Sequence, residues 1–340
     1  MKAVQVRSLD DIALIELPVP EPGEGEILVR MKAVGLCGSD VSPWYVATKA
    51  PAVLGHETAG IVERVGTGDC AFAPGDRVFV HHHAPCGTCR FCLRGDSVMC
   101  ADWKPTRLHP GGLAEFVRVE KASVLRDTLK LPPEVGFDDA VLIEPVACGI
   151  KAVDRGEVAK GDTAAVLGLG SNGILLGELC RHAGAAFLVG SDPDPSRRKL
   201  AEGFGFDLVL DPAACDVGAA IREATGSAGA DAVFVIPTLP AAATSAIAAA
   251  GPAGRVVFYS PIAPQMRWEI APHDAYFRDL TIRFSYSCGP AETRRALALI
   301  ARGVIRAERL ITHRLPLAQA AEGFRLAAAG GSVLKVLIEI

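Results

Sequence analysis

The sequence predicts an α/β protein in two parts, a β-rich part that opens the chain and a doubly wound parallel sheet that follows. Three observations carry this. The opening stretch "MKAVQVRSLDDIALIELPVP" alternates apolar and polar residues with the period of a half-buried strand. From Thr163 onward, apolar runs alternate with helix-like segments, as stacked strand–helix–strand units require. The first of those runs leads straight into a glycine-rich turn, "TAAVLGLGSNG".

A chain of 340 residues, half of them apolar, is long enough for two domains with large cores. The formal net charge of −4 gives no electrostatic case for nucleic acid or a membrane surface as partner. The opening strand lacks a basic segment followed by an apolar one, so no secretory signal is expected. The most apolar stretch, Ala232 to Tyr259, is broken by Pro237, Pro240, Gly251, Pro252 and Gly254, which argues against a transmembrane helix. A cytoplasmic chain with reduced thiols is the expectation. Ten cysteines would suit a disulfide scaffold only in a small secreted domain.

Within the β-rich part, "GLCGSD" and "GHETAG" bring three ligand types to notice: the thiol of Cys37, the imidazole of His56 and the carboxylate of Glu57. Together they leave a fourth position open, as a Lewis-acid zinc requires. On spacing alone, a satisfied core pair explains a Cys and a His nineteen residues apart better. Asp40 stands where a carboxylate could orient His56, or equally where it caps a turn. Ser39 offers a hydroxyl two residues from the thiol, or is simple turn chemistry.

Next comes "HHHAPCGTCRFCLRGDSVMC". Cys86, Cys89, Cys92 and Cys100 follow the pattern Cys-x2-Cys-x2-Cys-x7-Cys. Four thiolates make a closed tetrahedral cage, the structural kind of zinc site. An iron–sulfur cluster fits less well, because Cys100 is followed by Ala101 rather than proline. With the cage full, His81, His82 and His83 read as strand-end or pocket residues. Further on, "LIEPVACG" sets Glu144 in an apolar stretch, where a carboxylate is costly unless paired or metal-bound. Cys148 reads as a small buried hydrophobe.

In the second part, Gly168, Gly170 and Gly173 form a GxGxxG match that follows a strand and opens a helix reaching about Ala183. An acid, Asp192, follows about 20 residues on. This is the dinucleotide-binding context of a Rossmann sheet, with Ser171 and Asn172 among the loop contacts. Asp192 would accept hydrogen bonds from the adenosine ribose and repel a 2′-phosphate, favouring NAD over NADP. Arg197 and Arg198 lie close enough to soften that preference. Four further strand-like runs follow at 207–210, 230–237, 255–261 and 280–286. The last run, "VLKVLIEI", falls beyond the sixth strand and is expected to return to the first domain.

Taken together, Cys37, "GHE" at 55–57, "PGDRV" at 74–78, the four-cysteine lobe and the GxGxxG turn resemble the zinc-containing medium-chain dehydrogenases over essentially the whole chain. "GLCGSD" and "IEPVACGIKA" are most similar to the polyol branch, that of sorbitol and iditol dehydrogenases. Simple alcohol dehydrogenases usually carry a cysteine at the position of Glu144 and often a basic residue at that of Gly38. The resemblance implies a GroES-like catalytic domain from residues 1–151 and 287–340, with a structural zinc lobe at 84–102, and a Rossmann domain at 152–286. It implies one catalytic and one structural zinc per subunit, a site in the cleft and a homodimer or homotetramer. Cys37, His56 and Glu57 would ligate the catalytic zinc, with Glu144 a further ligand or the holder of its water. Ser39 would pass the proton outward as hydride moves to NAD from a secondary hydroxyl of a polyol or sugar-like substrate. Threonine and simple secondary alcohols are alternative substrates, and a catalytically silent NAD-binding sensor is the alternative from another class. The chain departs from the family at Ser42, where a relay histidine is common, at Asp69, and at Ser285–Tyr286, where polyol enzymes often carry Arg–Tyr. "SPWY" at 42–45 adds to that difference around the pocket.

Overall fold

A computed structural model describes all residues, Met1 to Ile340. The chain divides into two compact units: Met1–Ala147 with Cys288–Ile340, and Cys148–Ser287. None of its helices is long and apolar enough to cross a membrane.

The first unit is β-rich. Lys2–Ser8 pairs antiparallel with Asp11–Glu16 and with Ala52–Val53 in a small three-stranded sheet. An eight-stranded sheet is built around Ile27–Gly35, whose sequence "ILVRMKAVG" is buried at seven of nine positions. That near-continuous apolar run suits a central strand covered on both faces. It pairs antiparallel with Glu57–Val65, Phe116–Val119 and the terminal strand Lys335–Glu339. The tail therefore returns to the first unit, as expected from its place beyond the sixth strand. Val29, Met31, Val34, Val62, Val78, Val117, Phe324 and Ile338 fill the core beneath it. Such burial stabilises by about 25 cal/mol per Å² of apolar surface removed from water.

The second unit holds six strands, all parallel, in the order Leu208–Leu210, Phe187–Ser191, Thr163–Leu167, Ala230–Val235, Ala250–Phe258 and Thr281–Phe284. Numbered along the chain this is 3-2-1-4-5-6, the Rossmann order, and it places the crevice after the first strand at the switch point. The sequence-predicted strands all form, with ends that shift by a few residues: the run read as 255–261 begins earlier, at Ala250, and ends at Phe258. Helix Ser171–Ala183 starts directly from the glycine turn and closes on Gly184 in the left-handed region, φ 113°.

Candidate active site and metal centres

Cys37 sits just past the central strand Ile27–Gly35 and opens the short turn Gly38–Val41, which carries Ser39 half-buried. His56 and Glu57 lie at the start of the neighbouring strand Glu57–Val65. Because Gly35 pairs with Glu57 across the two strands, the three ligand residues meet at one end of the sheet. Their ligand atoms all lie within 4.8 Å of one another. Gly35 is needed for this: a Cβ there would stand 2.1 Å from the Glu57 carboxylate.

Asp40 is 2% exposed, and its Oδ1 lies 3.5 Å from Nδ1 of His56. Its other oxygen accepts the Cys37 N–H at 3.1 Å. Burial works against the Asp40 carboxylate, yet His56, the Cys37 amide and Lys49 together hold its pKa below the usual range. Burial likewise opposes charge on His56, but Asp40 and Cys37 outweigh it and raise the imidazole well above its ordinary value. A carboxylate behind a histidine fixes ring orientation and tautomer, as metal-ligating histidines require.

The carboxylate of Glu57 is fully buried, and Lys335 donates to both its oxygens, at 2.7 and 2.8 Å, and to the Leu36 carbonyl at 3.2 Å. Burial raises the Glu57 pKa, Lys335 opposes this, and the nearby Glu144 charge adds to it. Sequence reasoning missed Lys335. The available signal was a lone lysine inside the apolar strand "VLKVLIEI", since a buried ammonium demands a partner.

Glu144 stands close enough to the first trio for its charge to act on Glu57. It lies in the first turn of helix Ile143–Arg155, 6% exposed, and its carboxylate gathers with His81 and His82 within 4.8 Å. Those histidines follow the strand Arg77–Val80. His82 stands beside His56, ring centroids 5.0 Å apart, and Nδ1 of His83 bonds the Thr106 carbonyl at 2.7 Å. Burial depresses both His82 and His83, the latter to about 4.

The four lobe sulfurs of Cys86, Cys89, Cys92 and Cys100 also lie within 4.8 Å of one another. Sulfur separations of 3.5 Å (Cys89–Cys92) and 3.8 Å (Cys86–Cys92) are far beyond a disulfide bond and suit ligands around one ion. The Thr88 and Cys89 amides point at the Cys86 sulfur, at 3.4 and 3.3 Å, and with the Thr88 hydroxyl they lower its pKa to about 6. That favours the thiolate a metal needs. Val98 and the fully buried Trp103 pack under the cluster.

By donor chemistry, the first trio fits a zinc with an open position and the lobe fits a closed one. Cys37, His56 and Glu57 supply one sulfur, one nitrogen and one oxygen, with the imidazole already backed by Asp40. The lobe supplies four sulfurs.

In the second unit, the glycine turn fits a dinucleotide. A Cβ on Gly173 would lie 1.8 Å from the Gly168 carbonyl, so only glycine lets the turn fold this tightly against the helix start. Gly168 is in the left-handed region, φ 93°. Ser171 and Asn172 form the first turn of the helix, with Gly170 as its cap. Asp192, 2% exposed at the end of the second strand, accepts the amides of Leu169 and Asp194, both at 2.8 Å. It thus ties the glycine turn to the acid loop. Arg198 is bound to Asp211 at 2.9 Å and to the carbonyls of Asp192 and Pro193. Arg197 lies 3.6 Å from Asp192 with its tip over Gly170. Ser285 is 6% exposed and its hydroxyl is buried without a hydrogen-bond partner, while Tyr286 is 39% exposed.

Residues 23–132 match the family described as the alcohol dehydrogenase GroES-like domain, and residues 173–302 match zinc-binding dehydrogenase. The chain is 33% identical to sorbitol dehydrogenase of Homo sapiens over 330 residues, 92% of this chain and 89% of that protein. It is 33% identical to L-threonine 3-dehydrogenase of Pyrococcus furiosus over 250 residues, 72% of this chain and 70% of that one. Among solved structures, a chain from Sinorhizobium meliloti 1021, assigned as a zinc-binding dehydrogenase and bound to NADP, matches with TM-score 0.90 and 31% identity. It covers 100% of this chain and 99% of its own.

Proposed function

Since the chain belongs to the zinc-containing medium-chain dehydrogenase superfamily, with polyol dehydrogenases among its relatives, we propose that it oxidises a secondary hydroxyl of a polyol or sugar-like substrate with NAD. The observation that carries this is the Cys37–His56–Glu57 set with Asp40 behind the imidazole. Cys37, His56 and Glu57 would hold the catalytic ion, and the four-cysteine lobe a structural one. A zinc ion in the first set supplies Lewis acidity that lowers the pKa of a substrate hydroxyl. Asp40 keeps His56 in the ligating orientation, and Lys335 counters the burial that raises the pKa of Glu57. Ser39, beside Cys37, takes the proton released from the substrate hydroxyl and hands it outward. The glycine turn Gly168–Gly173 would hold the dinucleotide, whose nicotinamide would supply the hydride acceptor. Asp192 supports NAD, because a buried carboxylate repels a 2′-phosphate and Arg198 is already committed to Asp211. The reading includes action in the cytoplasm as a homodimer or homotetramer.

The test follows NADH and NADPH formation across polyols, cyclitols, sugar derivatives, threonine and simple secondary alcohols, with wild type, Cys37→Ser and Asp192→Ser. Turnover of polyols with NAD, abolished in Cys37→Ser and moved at least about tenfold toward NADP in Asp192→Ser, supports the proposal. Turnover of threonine alone keeps the chemistry and overturns the polyol reading. Equal use of NADP by the wild type overturns the role given to Asp192.

A further inference from the structure

Asp192 has an acidic neighbour that lies outside the glycine-turn motif. Ser191 and Leu210 pair across the second and third strands of the parallel sheet, and each strand ends there. Asp192 and Asp211, the residues that follow, therefore stand side by side at the carboxyl edge of the sheet. Ligands of such a sheet bind along that edge. We propose, resting on Gly168–Gly173 as a dinucleotide site, that Asp211 is a second determinant of the cofactor and acts through Arg198 to exclude a 2′-phosphate.

Two arginines flank the ribose acid, and each is faced by one carboxylate. Arg197 stands 3.6 Å from Asp192. Arg198, on helix Pro195–Glu202, donates to the Asp192 and Pro193 carbonyls, both at 2.8 Å, so its guanidinium is seated on the loop that carries the acid. The other terminal nitrogen of Arg198 lies 2.9 Å from Asp211, and the two side chains are 22% and 30% exposed, open enough for a ligand to reach. The second oxygen of Asp211 accepts the Ala213 amide at 2.9 Å, which fixes the carboxylate in place.

Charge decides what this arrangement admits. The charges of the two guanidinium groups and the two carboxylates sum to zero, which suits a neutral ribose hydroxyl. A 2′-phosphate brings about two negative charges and is held best by a planar fork of free donors. Arg198 carries such a fork onto the loop, and Asp211 occupies one arm of it. A neutral side chain at position 211 leaves the loop one positive charge richer and releases that arm to the phosphate. Asparagine there keeps an oxygen for the Ala213 amide, so the charge changes while the turn is preserved.

The experiment measures binding alone, by calorimetry of NAD and of NADP on the full-length chain. Wild type, Asp211→Asn and Asp211→Asn/Arg198→Met are compared by the ratio of the two dissociation constants, which a general loosening of the sheet edge leaves unmoved. Asp211→Ser, which also offers Ala213 an oxygen, repeats the measurement should the asparagine variant fail to fold. The single variant is expected to bind NADP about tenfold tighter with NAD affinity held within about twofold, and the double variant to lose the gain. A ratio within about twofold of wild type in the single variant overturns the proposal and leaves the dinucleotide site standing. A gain that survives in the double variant overturns it as well, because Arg198 is then not the group released. A wild type that binds neither dinucleotide overturns the reading of the glycine turn, and the role of Asp211 with it.

Discussion

At the scale of single residues, the Lys335–Glu57 pair is the most exacting arrangement in the first unit. Both groups are almost wholly buried, and removing one partner of such a pair is far costlier than removing both. Lys335→Met is expected to destabilise the chain by roughly 3 kcal/mol, and Glu57→Gln/Lys335→Met to recover more than half of that. Denaturant unfolding of the three proteins checks this, and a single variant within about 1 kcal/mol of wild type would remove the pair from the account. His83 gives a pH dependence. Its folded pKa of about 4 lies below its ordinary 6.5, mainly because burial disfavours the imidazolium. The unfolded chain therefore binds the proton first, so stability is complete above pH 6.5 and falls as the pH drops toward 4. With the side chain about three-quarters buried, this one residue accounts for at most about 3 kcal/mol at the acid end. Urea midpoints measured from pH 7.5 to 4.5 should fall less steeply in His83→Asn, which keeps a donor for Thr106. Parallel curves for the two proteins would show that the acid sensitivity lies elsewhere.

At the scale of elements, two short motifs do separable work. In the glycine turn, Gly173→Ala forces a methyl against the Gly168 carbonyl and must open the loop. NAD affinity is expected to fall by about 100-fold while zinc content stays unchanged, a split that calorimetry and elemental analysis read independently. In the lobe, Cys100→Ser removes one of four thiolates above the buried Trp103. The variant should hold one zinc fewer and melt ~5 °C or more lower, with new proteolytic cuts confined to residues 86–103. Loss of zinc with no change in melting would mean that the lobe is carried by its apolar contacts alone. Both motifs were readable from sequence because their chemistry is local. Their function depends on spacing within fifteen residues, where chain geometry leaves few alternatives.

At the scale of the whole molecule, the six-stranded sheet ends at Thr281–Phe284, an edge strand with Phe284 51% exposed; Tyr276 and Phe277, on the helix just before it, are 78% and 74% exposed. An apolar edge of this kind is a template for pairing with another copy. Light scattering should give a dimer or larger for the wild type and a smaller species for Phe284→Asp; a monomeric wild type would set the edge aside. By itself the sequence determined the two-part architecture, the alternation of strands and helices in the second unit, the GxGxxG turn with Asp192 and the four-cysteine spacing. Each of these is written in periodicity or in ligand spacing, which local backbone geometry converts directly into structure, whereas Cys37, His56 and Glu57 stood out only through a family resemblance. Only the tertiary structure decided what stands behind those groups. Lys335 reaches Glu57 because the last strand pairs with Ile27–Gly35, some 300 residues earlier in the chain. Glu144, in the first turn of helix Ile143–Arg155, comes beside His81 and His82 with its charge acting on Glu57, and Cys288 comes beside His81. Such partners are chosen by which strands and helices pack together, and a buried charge or thiol declares in the sequence only that it needs a partner, never which one.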